Sequence, residues 1–91
     1  MQITESQSAE LARKHGCPQK PVEYRLKQLQ IWANETAEYS REQFTARMAE
    51  LRREGKYHGE ATLWFIRSCR EQKLPDQEMA DLLIALSIGE F

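Results

Sequence analysis

Four residues belong to the types that bind zinc or act as nucleophile and base: His15, Cys17, His58 and Cys69. Compact zinc sites use a Cys-x-x-Cys pair or two His on one helix face, and neither spacing occurs in this chain. A nucleophile also needs an adjacent base and an orienting group, which these spacings do not supply. The sequence therefore predicts no metal site, no cofactor and no catalytic residue, and it predicts two free thiols.

Three carboxylates, Glu35, Glu38 and Glu42, fall on neighbouring turns of the predicted helices. Paired carboxylates can perform general acid–base catalysis, but such a run on a polar helix face is usually solvated. No motif that carries a catalytic mechanism accompanies these residues. We therefore expect that the protein is not an enzyme.

A group of basic residues favours a second function, contact with nucleic acid: Arg47, Arg52, Arg53 and Lys56. Residues 44–57 resemble the recognition helix of a winged helix that leads into its wing. The resemblance implies a DNA-binding transcriptional regulator with a helix-turn-helix-like element around residues 40–57, and it would make residues 60–69 a strand. Residues 74–87 resemble the first helix of a helix-turn-helix, but too little chain follows for a recognition helix. The pI of about 6.1 is low for a DNA-binding domain.

The stretch of residues 60–69 is the element that organises the rest. Leu63, Trp64, Phe65 and Ile66 are consecutive, so a helix here is apolar on every side and should be surrounded by partners. Glu60 near the start and Arg67 near the end suit a helix dipole, and the apolar residues do not alternate with polar ones as in a strand. The sequence predicts a central helix.

The remaining residues predict a single all-α domain, a compact bundle of four to five short helices. Gly16, Pro18 and Pro21 mark a connector over residues 16–20, and a capping box at Ser40 marks a helix start. One continuous helix over residues 21–54 is the alternative to two. We expect residues 60–72 and 77–87 to form a central antiparallel pair that holds most of the core. The predicted helices cover residues 5–15, 21–38, 41–54, 60–72 and 77–87.

Composition and charge limit the kinds of protein to which this chain can belong. The chain has 91 residues, of which 41% are hydrophobic and 30% charged, which is typical of a globular domain with a thin core. No apolar run is long enough to cross a membrane and no signal peptide is present, so the cytoplasm is the expected location. Residues 13–27 carry a charge of +4 and residues 71–91 carry −4. These segments can complement each other within one subunit or between two.

These observations favour a non-catalytic regulator or adaptor that acts by protein–protein contact. An inhibitor of a larger complex is a special case of this class. The predicted helix 21–38 has two apolar sides, and aromatic residues concentrate binding energy at interfaces. The candidate contact residues are therefore Tyr24, Trp32 and Tyr39. A homodimer is one form that this contact can take, and the residues do not specify the identity of a different protein partner.

Overall fold

All 91 residues are described by the structure, a computed structural model. It contains five α-helices, a short 3₁₀ turn and no strand, which confirms the predicted all-α fold. No helix combines the length and the apolar composition needed to cross a bilayer. The helices are α1 (Glu5–His15), α2 (Gln19–Glu35), α3 (Arg41–Arg53), α4 (Tyr57–Glu71) and α5 (Asp76–Ser87), and the 3₁₀ turn is Ile88–Glu90.

Helices α1 and α3 begin at reciprocal capping boxes. The Thr4 and Ser40 hydroxyls accept hydrogen bonds from the amides of Gln7 and Gln43, at 3.1 and 3.2 Å. The Gln7 and Gln43 side chains in turn accept from the amides of the two capping residues, at 2.8 and 2.7 Å. These contacts satisfy amides that have no partner within the helix, so each helix start is fixed by its local sequence.

The region between Pro21 and Glu54 forms two helices rather than one. The Thr36 hydroxyl donates to the Trp32 carbonyl at 2.8 Å just beyond the end of α2, and α3 starts afresh after Ser40. At its other end α2 begins two residues before Pro21, the predicted start. Proline is tolerated in a first turn because the amides there have no helical partner.

Helix α4 starts at Tyr57, earlier than the predicted residue 60, and so includes Gly59. Gly59 is buried, and a Cβ placed on it would lie 3.0 Å from Cζ2 of Trp32 and 3.4 Å from Cδ1 of Leu51. The glycine is therefore used for close packing inside the helix. The sequence prediction treated Gly59 as part of a loop, because glycine usually interrupts helices.

The chain divides by its contacts into two units, Met1–Ile31 with Pro75–Phe91, and Trp32–Leu74. The single domain expected from the sequence stays a prediction. Helix α5 packs against α1 in the first unit, and α4 packs against α3 in the second. The predicted pairing of α4 with α5 is not confirmed.

In the first unit, segments of opposite charge meet. Lys14 and His15 at the end of α1 both bind the carboxylate of Asp81 on α5, with His15 Nε2 2.7 Å from Oδ1. Arg25 donates to Glu90 at 2.6 Å and lies over the Phe91 ring. The basic segment 13–27 therefore complements the acidic segment 71–91 within one subunit.

In the second unit, α4 contributes a polar anchor as well as apolar side chains. Arg70 on α4 donates to the Thr36 carbonyl at 2.7 Å, the Thr36 hydroxyl at 3.0 Å and the Ala33 carbonyl at 2.9 Å. A cation at a helix C-terminus satisfies carbonyls that lack helical partners and complements the helix dipole. The buried apolar residues of α3 and α4 are Phe44, Met48, Leu51, Leu63, Ile66 and Cys69.

Candidate protein-contact surface

The residues considered for metal binding and nucleophilic chemistry do not form a metal-binding group. Cys17 and Cys69 are free thiols, and burial raises the pKa of the Cys69 thiol. The Cys17 thiol donates to the His15 carbonyl at 3.5 Å, and the His15 ring is held by Asp81. No group of three or more His, Cys, Asp or Glu side chains is arranged to hold a metal ion.

Two grooves occur in the first unit, with volumes of about 340 and 320 Å³. The larger has Ile3, Leu11 and Ala80 among its lining residues and Asp81 at its edge. The hydrogen bond from Lys14, and after it the weaker effect of the one from His15, lowers the pKa of Asp81. Groups of the same subunit therefore hold this carboxylate as an anion. A carboxylate held in this way stabilises structure and is a poor general base.

The four basic residues proposed for DNA contact are mostly paired with carboxylates. Arg47 lies 3.4 Å from Glu35 and 3.2 Å from Glu50, and Lys56 lies 3.4 Å from Glu54. Arg52 binds Glu60 at 2.6 Å, and this contact lowers the pKa of Glu60. Arg53 is exposed. These pairs reduce the positive charge available to phosphates, and α4 is helical where a wing would need a strand.

The three predicted contact residues have different environments. Tyr24 is 67% exposed on α2. Trp32 is half-buried, packs against Gly59 and lies under the guanidinium of Arg47, 5.5 Å from its ring centroid. Tyr39 is half-buried and makes an edge-to-face contact with the buried Phe44, with ring centroids 5.5 Å apart. The structure therefore leaves only Tyr24 of the three fully available to a partner.

A different set of residues forms a strip along one side of α4, which we name the α4 face: the exposed Tyr57, Ala61 and Trp64 and the half-buried Ser68. Tyr57 is 65% exposed and Trp64 is 46% exposed, although the sequence predicted that this helix would be surrounded. The prediction was wrong about Trp64 because α3 covers only the opposite side of α4, where Leu63 and Ile66 are fully buried. Spacings of four, three and four residues place the members of the α4 face on one side of the helix.

Arg67 stiffens the centre of the α4 face. Its guanidinium lies 4.0 Å from the centroid of the Trp64 ring, and its side chain is only 12% exposed. Its buried Nε has no hydrogen bond, and the nearest carboxylate oxygen, on Glu71, is 4.0 Å away. Arg67 therefore orders the Trp64 ring while its own side chain is mostly covered within the subunit.

A second exposed strip, which we name the α5 face, consists of Leu82, Leu86 and Ile88, with exposed fractions of 38%, 67% and 46%. Leu82 and Leu86 lie one turn apart on α5, and Ile88 begins the 3₁₀ turn. The α5 helix carries acidic residues and no basic ones. Unlike the α4 face, this strip has neither an aromatic ring nor a stacked cation.

No protein-family model matches the chain, and no curated protein or solved structure matches it significantly. The sequence did contain one signal for the α4 face. The spacing of Tyr57, Ala61, Trp64 and Ser68 is readable once the helix is known to start at Tyr57. A start placed at residue 60 removes Tyr57 and hides the pattern.

Proposed function

We propose that the protein is a small non-catalytic regulator or adaptor that works by protein–protein contact through the α4 face, with the α5 face as a second contact surface. An inhibitor of a larger complex falls within this proposal. The cytoplasm is the proposed location, which the two free thiols support because reduced cysteines are typical of that compartment.

The exposure of Trp64 beside the stacked Arg67 carries the proposal. Tryptophan, tyrosine and arginine are the residues most enriched at binding hot spots. A folded chain that leaves half of a tryptophan in water gives up roughly 1 kcal/mol or more of burial free energy. A partner that covers Trp64 recovers that free energy, and the stacked Arg67 loses little side-chain entropy on binding.

DNA binding is the weaker alternative. The paired states of Arg47, Arg52 and Lys56 disfavour it, because a phosphate would have to displace a carboxylate of the same subunit. The second unit has eight Lys and Arg against seven Asp and Glu, so it lacks the basic excess typical of DNA-binding modules.

Site-specific photo-cross-linking tests the proposal. A photoreactive amino acid replaces Ala61 beside Trp64, Ala85 beside Leu86, or Ala46 on α3 as the matched control; all three alanines are exposed. We expect position 61 to form discrete products in native lysate that Trp64→Ala removes, and position 46 to form none. Equal labelling from all three positions, or none from position 61, would contradict the proposal.

A further inference from the structure

The α4 face alternates large and small side chains along one side of the helix. Tyr57 and Trp64 are large, and Ala61 and Ser68 are small. The four, three, four spacing is that of the seam between two paired helices, in which each large side chain fits between side chains of the partner. No element of the second unit covers this seam, since α3 packs on the opposite side.

We infer that the α4 face binds the α4 face of a second copy of this chain, with the two helices antiparallel. Read in reverse, the pattern large, small, large, small becomes small, large, small, large. Antiparallel pairing therefore sets Trp64 of each copy against Ala61 of the other, and Tyr57 against Ser68. This match is self-complementary, as a two-fold interface requires. Parallel pairing would set tryptophan against tryptophan and alanine against alanine.

The charges beside the seam support the same orientation. Glu60 and Arg67 lie seven residues apart on one edge of α4, a minus followed by a plus. Equivalent edges face each other in an antiparallel pair, so Arg67 meets Glu60 of the second copy. This contact occurs twice by symmetry. A parallel pair would place Arg67 beside Gln72 and Glu60 beside Phe65, without an ion pair.

The two charged side chains of this edge have spare hydrogen-bonding capacity but little exposed surface. Glu60 already accepts hydrogen bonds from Arg52, and a carboxylate has further acceptor sites for a second arginine. Arg67 is held 4.0 Å from Glu71 and has no hydrogen bond at Nε. The Glu60 and Arg67 side chains are 13% and 12% exposed in the single chain. Both side chains therefore turn outward from their own subunit when the pair between copies forms.

The expected dimer is weak. Helix α4 has 15 residues and is about 22 Å long, so one helix pair buries less than the roughly 800 Å² per partner of a standard interface. A dissociation constant of about 10 μM to 1 mM follows from an interface of this size. This inference rests on the proposed function, because it names the occupant of the proposed contact surface.

Sedimentation equilibrium of the full chain, from about 10 μM to about 1 mM, tests the inference. We expect reversible dimerisation of the wild type, weakened at least about tenfold by Trp64→Ala and by Ala61→Trp. The double variant Ala61→Trp with Trp64→Ala restores large against small, so it should recover most of the affinity. Leu86→Ala is the matched control and should leave the dissociation constant unchanged. Far-UV circular dichroism checks that each variant is folded.

Disulfide cross-linking tests the orientation of the two α4 helices, in a chain whose own cysteines are replaced by Cys17→Ser and Cys69→Ala. A Tyr57→Cys chain and a Ser68→Cys chain, mixed under mild oxidation, should form a disulfide with each other more readily than with themselves. Preferential self-cross-linking of each chain would overturn the antiparallel arrangement. A wild-type chain that stays monomeric at about 1 mM, or a dimer unaffected by Trp64→Ala, would overturn the inference as a whole. Photo-cross-linking of a different protein from position 61 would then still support the proposed function, so the two failures are distinguishable.

Discussion

The two tryptophans of the second unit occupy contrasting environments. Trp32, at the end of α2, packs against Gly59 and lies under Arg47. Trp64, in the middle of α4, is 46% exposed and stacks on Arg67. Both rings contact a guanidinium, yet Trp32 is the less exposed of the two. A cation–π contact therefore does not by itself determine how much of a tryptophan is covered.

The arginines of α4 show the same contrast. Arg70 makes three hydrogen bonds to the end of α2, so its role in the second unit is structural. Arg67, three residues earlier, stacks on the face of Trp64 and has no hydrogen bond at its buried Nε. One helix therefore carries an arginine that fastens it to the end of α2 and another that lies against a half-exposed tryptophan. Substitutions at these tryptophans and arginines separate the two roles.

The largest effect should come from Trp32→Ala, which removes a packed aromatic ring and leaves Gly59 facing a cavity. We expect a loss of about 3 kcal/mol in the free energy of unfolding, measured by urea denaturation. Trp64→Ala is the matched control and should cost only about 1 kcal/mol, since nearly half of its side chain is already in water. Equal losses in the two variants would show that the contrast between the tryptophans is not real.

Arg70→Met should destabilise the chain by about 2 kcal/mol, because it leaves the Ala33 and Thr36 carbonyls without their charged donor. Arg67→Met keeps similar bulk and removes a buried Nε that has no hydrogen bond. That change should leave stability within about 0.5 kcal/mol of the wild type, or raise it, while it weakens the dimer. Thermal unfolding and sedimentation on the same samples measure both properties. A large loss of stability in Arg67→Met would assign Arg67 a structural role instead.

The first unit should respond to acid through Asp81, which joins α5 to the end of α1. Lys14, and then His15, depress the pKa of Asp81 in the folded chain. The stabilisation is therefore present above the ordinary carboxyl pKa of about 3.9 and is lost as pH falls through the lower folded value. Asp81→Asn should cost about 1 kcal/mol at pH 7 and reduce the stability lost between about pH 5 and pH 2. Glu78→Gln is the control. An equal change in the acid dependence of stability in this variant would show that Asp81 is not responsible for it.

The smallest expected effect concerns nucleic acid. Fluorescence anisotropy with duplex DNA at low salt should detect no binding, because Arg47, Arg52 and Lys56 are engaged with carboxylates. The double change Arg52→Ala, Arg53→Ala should make no difference. Salt-sensitive binding that this double change abolishes would instead establish the DNA-binding alternative and weaken the comparison between the two tryptophans.

The local parts of the fold could be read from the sequence because they depend on nearby residues. The Ser40 capping box and Gly16 in left-handed geometry are local signals, and both predicted helix ends are observed. The contact surface depends on which sides of a helix are covered, and periodicity alone does not determine that. Four consecutive apolar residues in α4 predicted burial on every side, whereas α3 covers one side only.

The sequence favoured Trp32 for the contact surface and predicted that the helix of Trp64 would be surrounded, whereas in the structure Trp64 is the more exposed of the two. This difference has the same origin. Trp32 lies beside the apolar stripe of α2, so its burial depends on Gly59, a distant residue whose role as a packing surface has no local signature. Trp64 lies among apolar neighbours, so its exposure depends on the absence of a covering helix. Pairing between elements is a long-range property, and a single sequence does not specify it.

Fluorine NMR of the chain labelled with 5-fluorotryptophan tests the central contrast most directly, because the chain contains only two tryptophans. Trp64→Phe assigns the two resonances. As the concentration is raised through the range of dimerisation, the Trp64 resonance should shift and the Trp32 resonance should stay in place. A shift of the Trp32 resonance alone, or no shift of either, would contradict the assignment of the α4 face as the contact surface between copies.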